Sequence, residues 1–578
     1  MQTFTTDILI LGAGGAGLFA ALHAKKANPD LDVTIAVKGL LGKCGCTRMV
    51  QGGYNVALSP EDSVERHFMD TIEGGGWLND QELAWLLVET APKRIRELET
   101  ELGCFFDRNP DGTVHQKAFA GQTFDRTVHK GDLTGIEIIN RLAEQVWRRD
   151  VKRLEDHRAL DLIRSADGSE LSGVLMLDMR SGELLMVRAR VTLLATGGGP
   201  TMYRYHTPSG DKSCDGLAMA LRAGLPLRDI EMVQFHPTGL LAGEGTRMTG
   251  TVLEEGLRGS GGYLTDSEGK RFMFDYDPRG ERATRDIVSR SIMDRIRKGF
   301  ASPHGGVYIE MGHLGPDRVR REFKGMVERC ADCGFDLAAG RVEVIPTAHY
   351  MMGGVAFKPD CTTELPRLYT AGEDTGGVHG ANRLGGNGVA NSTVFGGIAG
   401  DVMGARTKPT GAFPEPDTTA IDAARERAFA PLGRKSGSLL GNLPEMRERL
   451  YSIMWDDVGI LRNAESLARG IAALDTLASD IAACGVADDS RRYNLTWMDR
   501  LNLENLILVS RAIAAAADFR KDSRGAHFRE DFSQASDLAL SAYTSVRFAG
   551  ERPQVTATRV DFTRVRPGQS LLRPAAAE

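Results

Sequence analysis

The sequence predicts an α/β fold with a long insertion and a helical C-terminal region. Three observations carry this. A short apolar run, a glycine turn and a helix follow one another from Asp7 to Ala27, and a second apolar run from Val33 to Val37 completes a βαβ unit. Glycine-rich turns after apolar runs return at 191–199 (VTLLATGGG) and within 368–400. From about residue 411 the apolar spacing becomes helical.

The first unit reads as a Rossmann-like dinucleotide fold. Gly12 makes the tight turn, Gly14 lets the backbone approach a pyrophosphate, and Gly17 lets helix and strand pack, with Gly15 beside them. Phosphate charge then meets the N-terminus of the helix. The second run ends Val37-Lys38-Gly39, without the acid that commonly holds ribose hydroxyls, which disfavours a plain NAD site. The return of the glycine signature late in the chain requires an inserted domain, and residues 236–346 fit it. Met446, Leu450, Ile453, Ile460 and Leu461 read as one helical stripe from Leu443 to Ala473, and Leu503, Leu506, Ile507 and Ile513 as another. From Arg520 the chain is rich in Arg and Pro and reads as extended, with Pro574 to Glu578 frayed.

Composition bounds the rest. The 578 residues suggest two to four domains, with 42% hydrophobic and 26% charged residues. A net charge of −6 argues against a nucleic-acid binder. No apolar window is long enough for a membrane span, and the N-terminus reads as a strand and not a signal peptide. The eight cysteines are too scattered for a disulfide framework or cluster ligands, so a metal site is not expected. Cys330 and Cys333 read as reduced and structural. A reducing, cytoplasmic setting follows.

Five strings in one order carry a family resemblance: QFHPTG from Gln234, EEGLRGSGGYL from Glu254, TRDIVSRSI from Thr284, PTAHYMMGGV from Pro346 and HGANRLGGN from His379. DSRGAHFREDF from Asp522 adds a sixth. The chain resembles the flavoprotein subunit family of succinate dehydrogenase and fumarate reductase, with L-aspartate oxidase a close relative. The resemblance implies an FAD-binding domain over 1–235 and 347–410, an α+β capping domain over 236–346, a helical domain over 411–520 and a tail over 521–578. It implies FAD held by the fingerprint glycines and Lys38, by Cys46, Thr47, Gln51, Gly52 and Gly53, by Thr196, Gly197 and Asp215, and by Glu373 and Asn387. Lys38 is then no anomaly, because the family's second strand commonly ends in Ser-Lys. The family also implies an electron partner, a separate iron–sulfur subunit. Partner subunits would then hold the chain at the inner face of a membrane.

Moving two hydrogens across a carbon–carbon bond needs a hydride carrier and a proton carrier, and substrate carboxylates need cationic or hydrogen-bonding clamps. By resemblance, His236, His349 and Arg383 hold a small carboxylate substrate. Arg285 transfers the proton, with Glu255 and Arg258 as its relay to solvent. Glu255 and Arg258 also have the spacing of an i,i+3 surface ion pair. Phe119 reads either as an apolar wall over the substrate or as core. Two positions depart from the family. Cys46 stands where succinate dehydrogenases carry the His that bonds to flavin, which implies non-covalent FAD and a weaker succinate oxidase. Glu254 replaces a Thr or Ser that donates to substrate, and an ionised Glu cannot donate. Either the substrate differs from fumarate or succinate at that end, or Glu254 turns away and an Arg neutralises it. The expected activity is interconversion of a saturated and an α,β-unsaturated (di)carboxylate. The alternatives are a stand-alone L-aspartate oxidase-like enzyme and a non-catalytic electron-transfer subunit.

Overall fold

The computed structural model describes residues 1–243, 246, 248–433 and 442–572. Pro574 to Glu578 lie outside them. A seven-stranded sheet forms the centre, in the order Lys152–Glu155, Val33–Val37, Gln2–Leu11, Glu183–Leu194, Leu171–Asp178 and His157–Arg164, with Leu368–Thr370 also paired to Glu183–Leu194. Gln2–Leu11 runs parallel to both its neighbours, and Ile8 to Leu11 are buried on both faces. That explains a continuous apolar run where a half-exposed strand would alternate.

The fingerprint turn works by close approach. A Cβ on Gly12, whose φ is +108°, would collide with the Ala195 carbonyl oxygen, and one on Gly17 with the Gly12 carbonyl oxygen. The helix that follows, Gly15–Ala27, packs on Asn387–Arg406. Gly396, Gly400 and Gly404 recur every fourth residue there, facing the backbones of Ala16, Ala20 and Ala24. The late glycine-rich stretch therefore permits a close helix crossing.

The insert has its own sheet, Val233–Leu240, Arg341–Met351, Val307–Glu310 and Tyr263–Thr265, and its own apolar core from Leu240 to Val344. Two strands, Val233–Leu240 and Arg341–Met351, carry the chain into and out of it. Their pairing is irregular at Gln234/Phe235 and between His236 and Gly239, which re-aims side chains locally. Cys330 is buried in this core and Cys333 is packed against it, both as free thiols.

The stripe from Leu443 to Ala473 is not one helix. Leu443–Ser452 passes through a π turn, Ile453–Asp457, and the helical path stops until Ala464–Ala483. Gly459 lies in the gap, and Asn463 closes a capping box with Ser466. Local cap chemistry overrides the apolar period. Buried Arg462 fastens the gap, donating to Gly459 O (2.8 Å) and Glu231 O (3.1 Å) and meeting His527 Nδ1 at 2.7 Å. The second stripe lies on the long helix Leu495–Phe519, with Leu503, Leu506, Ile507 and Ile513 buried. The C-terminal segment is extended as a hairpin. Ala542–Ala549 pairs with Arg552–Arg559 and with Leu227–Arg228, completing a five-stranded sheet with Gly354–Ala356 and Thr375–Gly376.

Candidate active site

A continuous cavity extends from the fingerprint turn to the base of the insert. Its nucleotide end is built from backbone. The helix Gly15–Ala27 has no N-cap side-chain bond and no acid in its first turn, so its positive end, apart from the Gly15 N–H, is open to an anion. Gly14 and Gly15 face Thr47, whose Oγ1 accepts from Gly15 N at 3.1 Å. A Cβ position on Gly197 meets nothing within 4 Å. These cradles fit the pyrophosphate of a dinucleotide.

Two acids after Leu368–Thr370 shape the wall. Asp374 accepts from Thr196 N and from Gly197 N (3.0 Å), which fixes the 196–199 turn. Glu373 accepts from Met351 N (2.9 Å), and burial pushes its carboxyl up to about 7. Its position on the wall suits hydroxyl groups of a ribose or ribityl chain. Lys38 and Asp215 are joined at 2.8 Å, and Arg158 adds a second cation at 3.0 Å. Burial opposes ionisation of Asp215, yet these cations hold it well below the usual range.

The fingerprint glycines Gly12, Gly14 and Gly15 border the cavity, as do Cys46, Thr47, Gln51, Gly52 and Gly53. Gly17 serves helix packing instead. Asn387 also leaves the cavity. Its side-chain oxygen accepts from Asn55 Nδ2 (2.9 Å) and meets His67 Nε2 (3.0 Å), and its nitrogen donates to Thr71 (3.2 Å). It braces the loop that borders the site, and the sequence assigned it a contact that neighbouring Gly386 and Gly388 are placed to make. Burial pushes the Cys46 thiol up to about 12, so it stays protonated.

The chemical end gathers groups from several elements. Arg285 opens the helix Arg285–Arg297, His236 sits at the irregular pairing, and His349 lies on the facing strand. The two imidazole rings are 5.5 Å apart. Burial and the neighbouring Arg285 push both well below the ordinary range, so both are neutral. Thr207 Oγ1 meets His349 Nδ1 at 2.9 Å, leaving Nε2 for a ligand. Arg383 is 5% exposed and lies over the Tyr350 ring at 4.5 Å. Among the described residues no carboxylate oxygen approaches it within 4.0 Å, and its Nε has no partner. Burial, with repulsion from Arg285, lowers it to about 10.

Arg285 Nη2 donates to Glu255 Oε2 at 2.7 Å and Nη1 to Gln234 Oε1 at 3.0 Å. Arg258 Nη2 donates to Glu255 Oε1 at 3.0 Å. All three residues of this chain are buried, which removes the surface-pair alternative for Glu255 and Arg258. Arg258 is itself 1% exposed, so the chain does not end at solvent there; it continues to the Glu281 carbonyl (2.7 Å). Phe119 is both buried and on the wall, seated against Gly52 and Gly385. Glu254 also lies on the wall. Its charge is met mainly by Lys117 at 3.1 Å, a lysine and not the expected arginine, with Arg329 adding a weaker effect.

Sequence reasoning missed Lys117, Thr207 and Asp374. Thr207 lies outside every family string. Asp374 stood beside Glu373 in AGED, and Lys117 stood two residues before Phe119.

A family model described as an FAD binding domain matches residues 7–389, and one described as fumarate reductase flavoprotein C-term matches residues 447–572. A fumarate reductase (CoM/CoB) subunit of Methanothermobacter marburgensis is 39% identical over 542 residues, covering 92% of this chain and 95% of that protein. The fumarate reductase flavoprotein subunit of Escherichia coli is 35% identical over 549 residues, covering 92% and 89%. A solved variant of the FrdA chain of E. coli quinol fumarate reductase superposes with a TM-score of 0.92 at 33% identity, covering 98% of this chain and 99% of that one.

Proposed function

The chain belongs to the fumarate reductase and succinate dehydrogenase flavoprotein family, and within it we propose that this protein interconverts a saturated and an α,β-unsaturated dicarboxylate. It is an FAD-dependent oxidoreductase acting on a CH–CH bond. Bound FAD supplies or accepts the hydride. The chain's residues do the remainder. Arg383 offers a buried cation to one substrate carboxylate, and neutral His349 and His236 add directional hydrogen bonds. This holds the carbon–carbon bond beside the flavin site.

Arg285 delivers the proton to the carbon that the hydride does not reach. A free guanidinium is too weak an acid, with a pKa above about 12. Here Glu255 lies 2.7 Å from the donating guanidinium. When Arg285 gives its proton to carbon, the neutral guanidine left behind is reprotonated through Glu255, which takes its proton from the Arg258 side. In the oxidative direction the proton runs the other way. Burial opposes charge on Glu255, but Arg285 and Arg258 hold its carboxyl below the usual range. On its far side Arg258 is held by the Glu281 carbonyl at 2.7 Å. The observation that carries this reading is Arg383, a buried cation without a carboxylate partner, on the same wall as the Arg285–Glu255 pair.

FAD is held without a covalent bond, since the Cys46 thiol is protonated and a poor nucleophile. Electrons pass through a separate iron–sulfur subunit. The relatives are named as subunits, and no metal-binding cluster of His, Cys, Asp or Glu occurs among the described residues. No helix among them is long and apolar enough to cross a membrane, so any membrane attachment falls to partner subunits. The test is anaerobic reduction of the flavin followed by fumarate and then other unsaturated carboxylates. Rapid reoxidation by fumarate is expected; no response to any dicarboxylate would sink the proposal.

A further inference from the structure

Glu254 is a buried polar group on the wall, next to the Arg285–Glu255 pair in sequence, that the proposed reaction leaves unused. Its Oε2 is taken by Lys117, which comes from the short strand Gln116–Lys117. Among the described residues no donor reaches Oε1, and the side chain lies on the cavity wall. Gln51 borders the same stretch. With its amide oriented to suit its neighbours, Gln51 donates to Val252 O (3.2 Å) and accepts from Arg329. Gln51 is therefore already occupied, and Glu254 Oε1 is the open valence.

An ionised carboxylate oxygen facing a substrate carboxylate is repulsive, and a protonated one donates. Resting on the dicarboxylate reading above, we propose that Glu254 sets specificity by sharing a proton with the substrate's second carboxylate, so that a dicarboxylate binds together with one proton from solvent. The proton sits on the Oε1···O line between the two carboxyl groups, and no bond to carbon changes. Lys117 is the positioning residue that holds Oε2 and leaves Oε1 as the oxygen without a donor. A ligand with a neutral hydrogen-bond donor at that end binds without the proton.

The surroundings support this assignment. Burial raises the proton affinity of Glu254, against Lys117 and Arg329, while Asp132 raises it further. The helix Lys324–Ala331 adds only the Met326 sulfur and Arg329. Next in the chain, Glu255 is committed to Arg285 and Arg258. The facing histidines His236 and His349 are neutral and stay so. Glu373 titrates near 7 on the flavin side and is shared by every variant below, so its effect cancels in the comparison.

The test titrates the oxidised holoenzyme with fumarate and with its monoamide, fumaramate, between about pH 6 and 9, reading the flavin difference spectrum and proton uptake by an indicator dye. In the wild type, fumarate affinity is expected to fall by up to about tenfold per pH unit at the alkaline end, with one proton taken up per fumarate bound. Fumaramate affinity stays flat. In Glu254→Gln, a permanent donor, the fumarate slope and the proton uptake both disappear. Lys117→Gln, which keeps the carboxyl, shifts the fall to higher pH. Equal slopes for the two ligands, or the same slope in wild type and Glu254→Gln, overturn the inference. Should Glu254→Gln fail to fold, an unshifted profile in Lys117→Gln overturns it alone. Failure of the wild type to bind either compound at any pH overturns the dicarboxylate reading itself, and this inference with it.

Discussion

Arg285 is the residue on which the proposed chemistry turns. Arg285→Ala should lower kcat by about a thousandfold, the usual weight of a positioned proton donor, with the flavin spectrum unchanged. A loss of flavin instead would make Arg285 a structural residue. Arg383→Met should act mainly on KM, because it removes a clamp present before the chemistry. Glu373 gives a pH signature of its own. Burial raises its folded value to about 7, so the stability it contributes is fully present below the ordinary carboxylate range and lost as pH rises through about 7. The cofactor-free protein should therefore melt lower at pH 8 than at pH 5, Glu373 contributing on the order of 3 kcal/mol beside the likewise raised Asp374 and Asp229, and Glu373→Gln should reduce that dependence. The main site residues were legible because they sit in short strings that carry their own signature. Lys117 and Thr207 were not, since each acquires its role from a partner more than 100 positions away, Glu254 at 137 and His349 at 142.

Glycine spacing separates two kinds of element at the nucleotide end. Gly12→Ala and Gly17→Ala each drive a Cβ into a backbone oxygen, whereas the nearest atom to a Cβ on Gly14 is Thr47 Oγ1 at 3.7 Å. The first two variants should yield little folded flavoprotein. Gly14→Ala should fold with a normal circular dichroism spectrum and weaker FAD binding. Identical behaviour of all three would remove the distinction drawn between packing and ligand approach. The βαβ unit was readable because a continuous apolar run and a glycine turn are both local signals. The helical spacing across 443–473 is spread over more than one helix for a related reason. Its apolar period is real, but Gly459 and the Asn463 capping box stop and restart the helix, and Arg462 ties the gap to residues remote in sequence. Apolar period alone does not register caps.

On the scale of the whole molecule, the C-terminal hairpin is fastened to the central body by buried charge. Arg520 donates to Glu231 at 2.6 Å and to Asp229 at 2.8 Å, and Thr544 donates to both acids. Arg520→Ala leaves buried Glu231 without its ion-pair partner and Asp229 with only Arg228 at 3.5 Å, and should cost about 3–5 kcal/mol, seen as a lowered first melting transition. The inserted domain was legible as an interruption of the glycine pattern. The hairpin was not, since its pairing with Leu227–Arg228 leaves no local mark beyond an Arg- and Pro-rich composition. That pairing has a consequence for how the protein is made. Leu227 waits for Val546, so about 300 residues must leave the ribosome in between, some 15–60 s at about 5–20 residues per second. The same sheet contains Thr375–Gly376, directly after the two acids of the flavin wall. The nascent chain thus carries an open edge at Leu227–Arg228 through most of its synthesis, and the sheet that starts at the cofactor's wall is completed only once the hairpin has emerged.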